Sequence, residues 1–515
     1  MAISFLRCTF IIAAIAAVPA VAAASAPQRA PGDEDIQAGY RLLWSGDKAA
    51  AAEHFQRLID RAPDQLSARF GWLVVGSDRV DADPGLEPAF EQRLDDFIDR
   101  ASTRYARNKE DAEALLYLAK AHILRAQYRF GHDKGLWGAA RDGAKAKGYI
   151  DAYLKDHPDE GDAYLVLGIY NYYADLAPTF LKVLRLMLFL PPGNRVDGLK
   201  QIERAAAEGT YFRPRAEMLL VEIYSTFEGR AAEALAISER LRQEFPVSDA
   251  VSFTIAELYS SPSFESFDRA AAAYQEVVDR RRVDSSPDGS AARYLALFGL
   301  SDARFNQWRL DDAIAALAAP IAAGVRNPSW VLPQFLLRRG NYRALIDDPA
   351  AAEDARRILA DPQATKWHQA ARDQLKWIAD RKTSGEAAIY SSLIPGNRLV
   401  ADGKWDEARQ AYEEIRARNP QSPFVLYRLA YLDFVRGESE RALPMLTALA
   451  ANPKNPDKVR ASALLYAGRA HDLAGRREEA RKAYQRVVDV FDKQQRIADS
   501  ARLGLLTPYR RPARK

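Results

Sequence analysis

Residues 405–420 read WDEARQAYEEIRARNP, and their pattern of small and bulky apolar residues returns twice further along the chain. An alanine, a bulky apolar residue and a branched one recur at one spacing: Ala408, Tyr412 and Ile415; Ala442, Leu446 and Leu449; Ala480, Tyr484 and Val487. The first two copies are 34 residues apart and the next step is 38. A fixed period of this size indicates stacked helix–turn–helix units. The pattern therefore predicts an all-α fold, an α-solenoid of stacked repeats.

Weaker copies of the pattern extend towards the N-terminus. Apolar residues follow helical spacing nearly throughout, and alternating strand-like runs are absent, so we expect almost no strand. The predicted organisation is an N-terminal solenoid over 32–326 with an apolar insertion at 174–195, an irregular helical connector or pair of degenerate repeats over 327–388, clear repeats over 389–495, and a disordered basic tail over 507–515.

The repeat resembles the tetratricopeptide repeat. In that family small residues mark the crossing of helix A and helix B, an aromatic residue lies on helix B, and a proline ends it. Pro420 and Pro453 follow two of the clear copies. Small residues let two helices approach closely, and a proline cannot continue the helical hydrogen-bond ladder. The resemblance implies a solenoid that binds other proteins, because such arrays present extended binding surfaces.

The N-terminal residues have the features of a secretory signal peptide. Arg7 is followed by an apolar run, and small residues after Pro19 offer cleavage sites. We predict a cleaved leader over 1–24 and a periplasmic or secreted protein of a bacterium. Cys8 is the only cysteine and precedes the end of the apolar run, so the chain is predicted not to be a lipoprotein. The mature chain would then contain no disulfide and no thiol chemistry.

Charge and motifs exclude several function classes. The formal net charge is +4, with 73 basic and 69 acidic residues, so we predict no nucleic-acid partner. The six histidines form no helical pair with the spacing of metal ligands, and phosphate-binding or nucleophile motifs are absent. His132 lies in a glycine-flanked loop, where a surface histidine is the favoured interpretation and a functional residue is the alternative. We therefore expect a protein that is not an enzyme, with no catalytic residues, cofactor or metal.

The insertion is the unusual element of the sequence. Residues 176–190 read LAPTFLKVLRLMLFL, with only Lys182 and Arg185 charged, and the run is too short to span a bilayer. It can be a buried helix inside the solenoid, an interfacial helix in peripheral contact with a membrane, or a groove or lid for a partner. Tyrosines precede it, and tyrosine is frequent at interfaces. The predicted partner-binding residues are Tyr170, Tyr172, Tyr173, Phe180, Leu184 and Phe189.

The sequence thus favours a non-catalytic protein-interaction scaffold of the bacterial periplasm or envelope, whose partner the sequence does not identify. Two alternatives stay open. One is a lipid- or glycan-binding carrier that uses the apolar segment 176–190. The other is an envelope enzyme, or the regulatory subunit of one, for which convergent polar groups in a pocket of the irregular stretch 327–385 would be the distinguishing feature.

Overall fold

The structure, a computed structural model, describes residues 32–132, 134–176 and 191–511. It is 79% helical, with 24 α-helices and no strand in these ranges. The all-α solenoid predicted from the repeat is confirmed, as is the near absence of strand. The predicted leader lies outside the described residues, as do residues 177–190 within the predicted insertion.

Seven consecutive antiparallel helix pairs form the first part of the chain. In each pair helix A is followed by helix B. The pairs are α1 (Asp33–Trp44) with α2 (Lys48–Arg61), α3 (Leu66–Ala82) with α4 (Glu87–Arg107), α5 (Ala112–Gly131) with α6 (Leu136–Asp156), α7 (Gly161–Leu176) with α8 (Arg195–Glu208), α9 (Arg213–Ile223) with α10 (Ala231–Glu244), α11 (Asp249–Ser260) with α12 (Phe267–Arg280), and α13 (Pro287–Asn306) with α14 (Leu310–Ala322).

The stack continues through the region in which the repeat is irregular. That region contains one further pair, α15 (Val331–Leu345) with the short α16 (Ala351–Leu359), and a single helix, α17 (His368–Thr383). Three pairs and a final helix follow: α18 (Glu386–Ala401) with α19 (Trp405–Arg418), α20 (Pro423–Arg436) with α21 (Ser439–Ala451), α22 (Asp457–Leu473) with α23 (Arg477–Val490), and α24 (Gln495–Leu506). The odd helix α17 accounts for the loss of the 34-residue period between residues 327 and 388.

Glycine opposite an aromatic ring sets the spacing of helices A and B. A β-carbon on Gly468 of α22 would lie 2.5 Å from the Tyr484 ring of α23, and one on Gly504 of α24 would lie 2.7 Å from the same ring. Gly39 and Gly71 flank the Phe55 ring of α2 in the same way. Each such ring therefore joins its own repeat to the next one, and only glycine leaves the space that it needs.

The superhelix is tight enough for its successive turns to touch. Trp44, at the end of α1, donates its indole N–H to the carbonyl oxygen of Tyr211 at 2.8 Å, across 167 residues. Arg79 of α3 forms a bidentate ion pair with Asp288 of α13, with nitrogen–oxygen distances of 2.7 and 3.1 Å. The first helix pairs thus contact the starts of the helices A of pairs five to seven.

The C-terminal helices contact the opposite edge of the same middle pairs. The Arg469 guanidinium of α22 lies 3.0 Å from the Glu265 carboxylate, in the turn between α11 and α12. Arg496 of α24 donates to the side-chain oxygen of Asn306 at 2.8 Å. Pairs five to seven therefore lie between the two ends of the chain, in contact with both.

The start of the tail is ordered against the last repeats, which corrects the prediction of disorder for residues 507–511. The backbone N–H of Tyr509 donates to Asp472 at 2.8 Å, and its ring lies 4.7 Å from the Arg469 guanidinium. Tyr509 covers apolar surface that the end of the stack would otherwise expose. Residues 512–515 lie outside the described residues. Within the described ranges, no helix combines the length and the apolar character that crossing a membrane requires.

Candidate functional site

Most of the tyrosines predicted at the start of the insertion are buried and hydrogen-bonded within the fold. Tyr172 is fully buried and donates its hydroxyl to Glu228 at 2.7 Å, while Tyr170 is buried and donates to the carbonyl oxygen of Pro191 at 2.7 Å. Tyr173 is half-buried and meets the Tyr172 ring edge-on. Tyr170 and Tyr172 therefore offer no free surface to a partner, which corrects this part of the predicted site.

The other predicted site residues, Phe180, Leu184 and Phe189, lie outside the described residues. Both ends of their segment are held close together. The backbone N–H of Arg195 donates to the Asp175 carboxylate at 3.2 Å, and a β-carbon on Gly193 would meet the Asn171 carbonyl oxygen at 2.5 Å. The described residues that precede and follow 177–190 thus meet at one place, between α7 and α8.

The inner surface of the N-terminal pairs, formed by their helices A, is filled by the chain itself. Phe212, in the loop between α8 and α9, packs against the Tyr40 ring at 5.0 Å and the Phe70 ring at 6.2 Å. The Lys120 ammonium lies 5.2 Å from the Phe212 ring. All four of these side chains are buried, so no surface remains there for another molecule.

One carboxylate fixes this loop in place. Asp162 of α7 accepts three backbone N–H hydrogen bonds, from Thr210, Tyr211 and Phe212, at 2.9 to 3.0 Å. Three donors in a row hold the loop in one conformation, since a buried backbone N–H needs an acceptor. The loop therefore acts as a fixed plug in the first turn of the superhelix.

The corresponding inner surface of the C-terminal pairs retains solvent-accessible aromatic side chains. We call it the tyrosine surface and define it by Tyr390 of α18, Tyr427, Arg428 and Tyr431 of α20, and Tyr466 of α22, all half-buried. The rings of Tyr427 and Tyr431 are stacked, with centroids 6.2 Å apart, and both lie near the Tyr466 ring. Three successive helices A thus contribute to one continuous patch.

Arg428 is the cation at the centre of this patch. Its guanidinium lies 4.5 Å over the Trp308 ring and 5.5 Å from the Tyr427 ring. Within the part of the chain that the structure describes, no carboxylate forms an ion pair with it. Its positive charge is therefore balanced by aromatic rings, which attract cations through their electron-rich faces.

The tyrosine hydroxyls beside Arg428 stay neutral. Burial raises the pKa of Tyr427 to about 12, and the nearby Arg428 charge only partly opposes that rise. Burial also raises the pKa of Tyr431, with a further contribution from the Glu265 carboxylate. These hydroxyls can consequently donate and accept hydrogen bonds, while Arg428 supplies the only formal charge among the five residues of the surface.

A buried polar cluster between α5 and α6 is structural. His122 of α5 and Asp142 of α6 lie 2.8 Å apart and are both buried, and Arg125 and Arg129 complete the coordination of the carboxylate. Burial opposes ionisation of Asp142, but hydrogen bonds from His122 and Arg125 leave its pKa below the usual value. These groups are enclosed and hydrogen-bond to one another, so they hold α5 against α6.

His132 and the irregular stretch 327–385 show similar internal pairing. The His132 ring lies 3.2 Å from the Glu87 carboxylate. A cavity of about 260 Å³ lies between α15 and α16, with Arg326 and Asp361 at its edge. Those two charges are paired with each other at 2.7 Å, and the other lining groups are largely apolar. In the described residues, no group of acidic, histidine or cysteine side chains has the arrangement of a metal site.

Comparison with known proteins supports the repeat assignment. Three family models described as tetratricopeptide repeat match residues 264–325, 399–461 and 462–493. The chain therefore contains tetratricopeptide repeats, as the sequence predicted. No curated protein matches the chain.

Similar solved structures include the crystal structure of yeast Tom70, at 12% identity over 89% of this chain and 91% of that chain, with a TM-score of 0.32. Another is the crystal structure of the P58(IPK) TPR domain, at 12% identity over 92% of this chain and 96% of that chain, with a TM-score of 0.19.

Proposed function

We propose that this protein is a non-catalytic scaffold that binds a partner protein through the tyrosine surface, in the periplasm or outside a bacterial cell. The tetratricopeptide repeats support a role in protein interaction. The observation that carries the choice of surface is Arg428, a half-buried cation among tyrosines with no carboxylate partner in the described chain.

The composition of the tyrosine surface is typical of an interface centre. Tyrosine and arginine are among the residues that most often dominate binding energy, because they combine large apolar area with polar tips. A partly desolvated arginine without an anion gains most from a partner that brings one. The surface therefore fits a protein segment that places an acidic group against Arg428.

Capture experiments with the full-length protein test this function. Arg428→Ala and Tyr466→Ala should each weaken binding of the partners recovered from the native cell envelope by about tenfold or more, as truncation of interface hot spots does. Arg436→Ala is the matched control, since Arg436 lies on the same helix but pairs with Asp406. If both variants recover the same partners as the wild type, the tyrosine surface is not the binding site.

The cellular compartment needs a separate measurement. The apolar run after Arg7 and its small-residue exit motivate the proposal of export. Mass spectrometry of the protein purified from its natural source should find an N-terminus between Ala23 and Pro27. An intact Met1 in that material would contradict export with cleavage.

The apolar segment 177–190 is proposed as a second contact, because both of its ends are fixed at one place on the surface of α7 and α8. Phe180→Asp and Leu184→Asp test it. Normal folding with loss of binding to the protein partner supports a partner contact, and loss of binding to liposomes or glycans instead supports the carrier alternative. Unchanged folding and binding would exclude the segment from any interface.

A further inference from the structure

A left-handed residue recurs at one position of the turn between helices A and B. In five pairs the residue five positions before the buried alanine of helix B is a glycine with positive φ: Gly46 before Ala51, Gly229 before Ala234, Gly403 before Ala408, Gly437 before Ala442, and Gly475 before Ala480. Glycine adopts this conformation without steric cost. The repeat therefore has a defined turn position at which other residues are disfavoured.

Two further pairs have a left-handed residue other than glycine at the same position. Glu265 stands five residues before Ala270 with φ of 46°, and Trp308 stands five residues before Ala313 with φ of 62°. A side chain in the left-handed region is strained, since its β-carbon crowds the backbone carbonyl oxygen. Strain of this kind persists where the surroundings hold the residue in place, and it concentrates at functional positions.

Both exceptional side chains reach the next turn of the superhelix. Glu265 forms a bidentate ion pair with Arg469 of α22, at 3.0 and 3.3 Å. Trp308 lies under Arg428 and 6.1 Å from the Tyr390 ring. Arg469 is itself held between the rings of Tyr466 and Tyr509, at 5.0 and 4.7 Å. The two strained residues thus contact the tyrosine surface and the arginine beside it.

We propose that Glu265 and Trp308 form an internal latch, which holds the superhelix closed over the tyrosine surface until a partner takes their place. The two residues supply a carboxylate and a planar aromatic ring, which are the groups that arginines and tyrosines bind best. A segment that carries both acidic and aromatic side chains is therefore the partner that fits the opened surface. This proposal rests on the proposed function in one respect, namely that the tyrosine surface is the binding surface that the latch covers.

Other contacts also cross the seam, by which we mean the contact between the middle pairs and the C-terminal helices: a β-carbon on Gly229 would lie 2.9 Å from the Thr507 side chain, and the Arg496 guanidinium lies 5.1 Å from the Phe267 ring. Near the latch, the Arg309 guanidinium lies 3.6 Å from the Asp402 carboxylate, and Arg496 donates to Asn306 and to the carbonyl oxygen of Ser260. These are exposed or half-exposed polar contacts, which contribute little individually. Glu265 and Trp308 differ from these contacts because they place a carboxylate against the buried Arg469 and an aromatic ring against the half-buried Arg428.

The double variant Glu265→Gly with Trp308→Gly tests the latch without any partner. Glycine relaxes both turns while it removes both side chains, so helical content should stay unchanged. We expect the open fraction to rise about tenfold, corresponding to ~1.4 kcal/mol. Two readouts should follow: a larger radius of gyration in small-angle X-ray scattering, and faster nitration of Tyr431 and Tyr466 by tetranitromethane, with buried Tyr412 as the internal reference.

Asp347→Gly is the matched control variant. Asp347 also has a left-handed φ, of 57°, but it is exposed at a turn away from the seam, so its replacement relieves strain and opens nothing. An unchanged radius of gyration in the double variant overturns the latch, even if nitration increases, because the side chains then only shield the rings. Loss of helical circular dichroism also overturns it, since the two residues would then be part of the folding core.

A defined probe tests the partner chemistry. A fluorescein-labelled copolymer of glutamate and tyrosine should bind the double variant about tenfold more tightly than the wild type by fluorescence anisotropy, whereas polyglutamate should not distinguish them. Equal binding of the copolymer to both proteins overturns the displacement step. The scattering experiment contains no ligand, so it tests the latch alone. The capture experiment with Arg428→Ala tests the binding surface, and either one can fail without the other.

Discussion

The N-terminal and C-terminal helix pairs share one repeat but use their inner surfaces differently. In the N-terminal pairs, Phe212 fills the space between Tyr40 and Phe70, and Asp162 fixes its loop through three hydrogen bonds. In the C-terminal pairs, Tyr431 and its neighbours keep solvent-accessible area. The repeat therefore determines the stacking of the helices, while a loop outside the repeat pattern determines whether the inner surface is core or a site.

The buried hydrophobic residues differ in the same way. One continuous core runs from Ile36 to Ala273, whereas the buried residues from Leu297 onwards, in the seventh pair, the irregular region and the C-terminal pairs, form smaller, separate clusters. A solenoid whose repeats contact only their neighbours has a stability that is close to a sum of local terms. We therefore expect the N-terminal half to unfold as one cooperative unit and the C-terminal half to tolerate local opening.

The largest expected effect comes from removing the plug. Phe212→Ala should lower the free energy of unfolding by about 3–5 kcal/mol, because it deletes a buried aromatic ring and leaves a cavity. Tyr466→Ala, which removes a half-buried ring from the tyrosine surface, should cost clearly less. Urea unfolding followed by circular dichroism measures both. If the two substitutions lowered the free energy of unfolding equally, the N-terminal inner surface would not be core in contrast to a C-terminal binding site.

A smaller effect is expected at the helix A–helix B crossing that both halves share. Ala442 is fully buried in α21, so Ala442→Leu should overpack the crossing and cost about 1–3 kcal/mol. Ala451→Leu is the matched control, since Ala451 is exposed at the end of the same helix. Unchanged thermal stability of Ala442→Leu would contradict the register in which the repeats have been placed.

The contact between the first and middle pairs should contribute less again. Arg79 and Asp288 form a bidentate pair, but their side chains are about 30% exposed, so solvent screens the interaction. A double-mutant cycle of Arg79→Ala and Asp288→Ala should give a coupling of about 0.5–1 kcal/mol that decreases as salt is added. No coupling at low salt would mean that the turns of the superhelix touch there without stabilising each other.

The sequence predicted the parts of this molecule that depend on local spacing. The alanines and aromatic residues of the 34-residue pattern indicated the helix pairs, because such packing follows from residues a few positions apart. Their buried positions, such as Ala408 and Tyr484, are where the pattern placed them. The helical pairing could therefore be inferred without any knowledge of which repeats meet across the superhelix.

Contacts between distant repeats could not be inferred in this way. Tyr170 and Tyr172 were predicted at a partner surface because tyrosine clusters suggest interfaces, yet Glu228 and Pro191 bind their hydroxyls. The tyrosine surface was missed because its residues come from three repeats. One clue was present in the sequence: Glu265 and Trp308 occupy the turn position at which five other repeats have glycine.

The smallest effect that we predict concerns pH, at a position that the two halves have in common. His122 and His471 occupy equivalent places on helices A, and burial lowers the pKa of each, opposed at His122 by Asp142 and reinforced at His471 by Arg476. A depressed folded-state pKa means that protonation disfavours the fold, so this stability is present above the unfolded pKa of about 6.5 and is lost as pH falls below it.

His122→Gln keeps a donor for Asp142 but does not titrate, so unfolding free energies at pH 7.5 and 5.5 should differ less in this variant than in the wild type. His471→Gln should act in the same direction but more weakly, because His471 is half-exposed whereas His122 is buried among Arg125, Asp142 and Lys145. A pH dependence unchanged by His122→Gln would show that the buried cluster between α5 and α6 accepts a proton without cost.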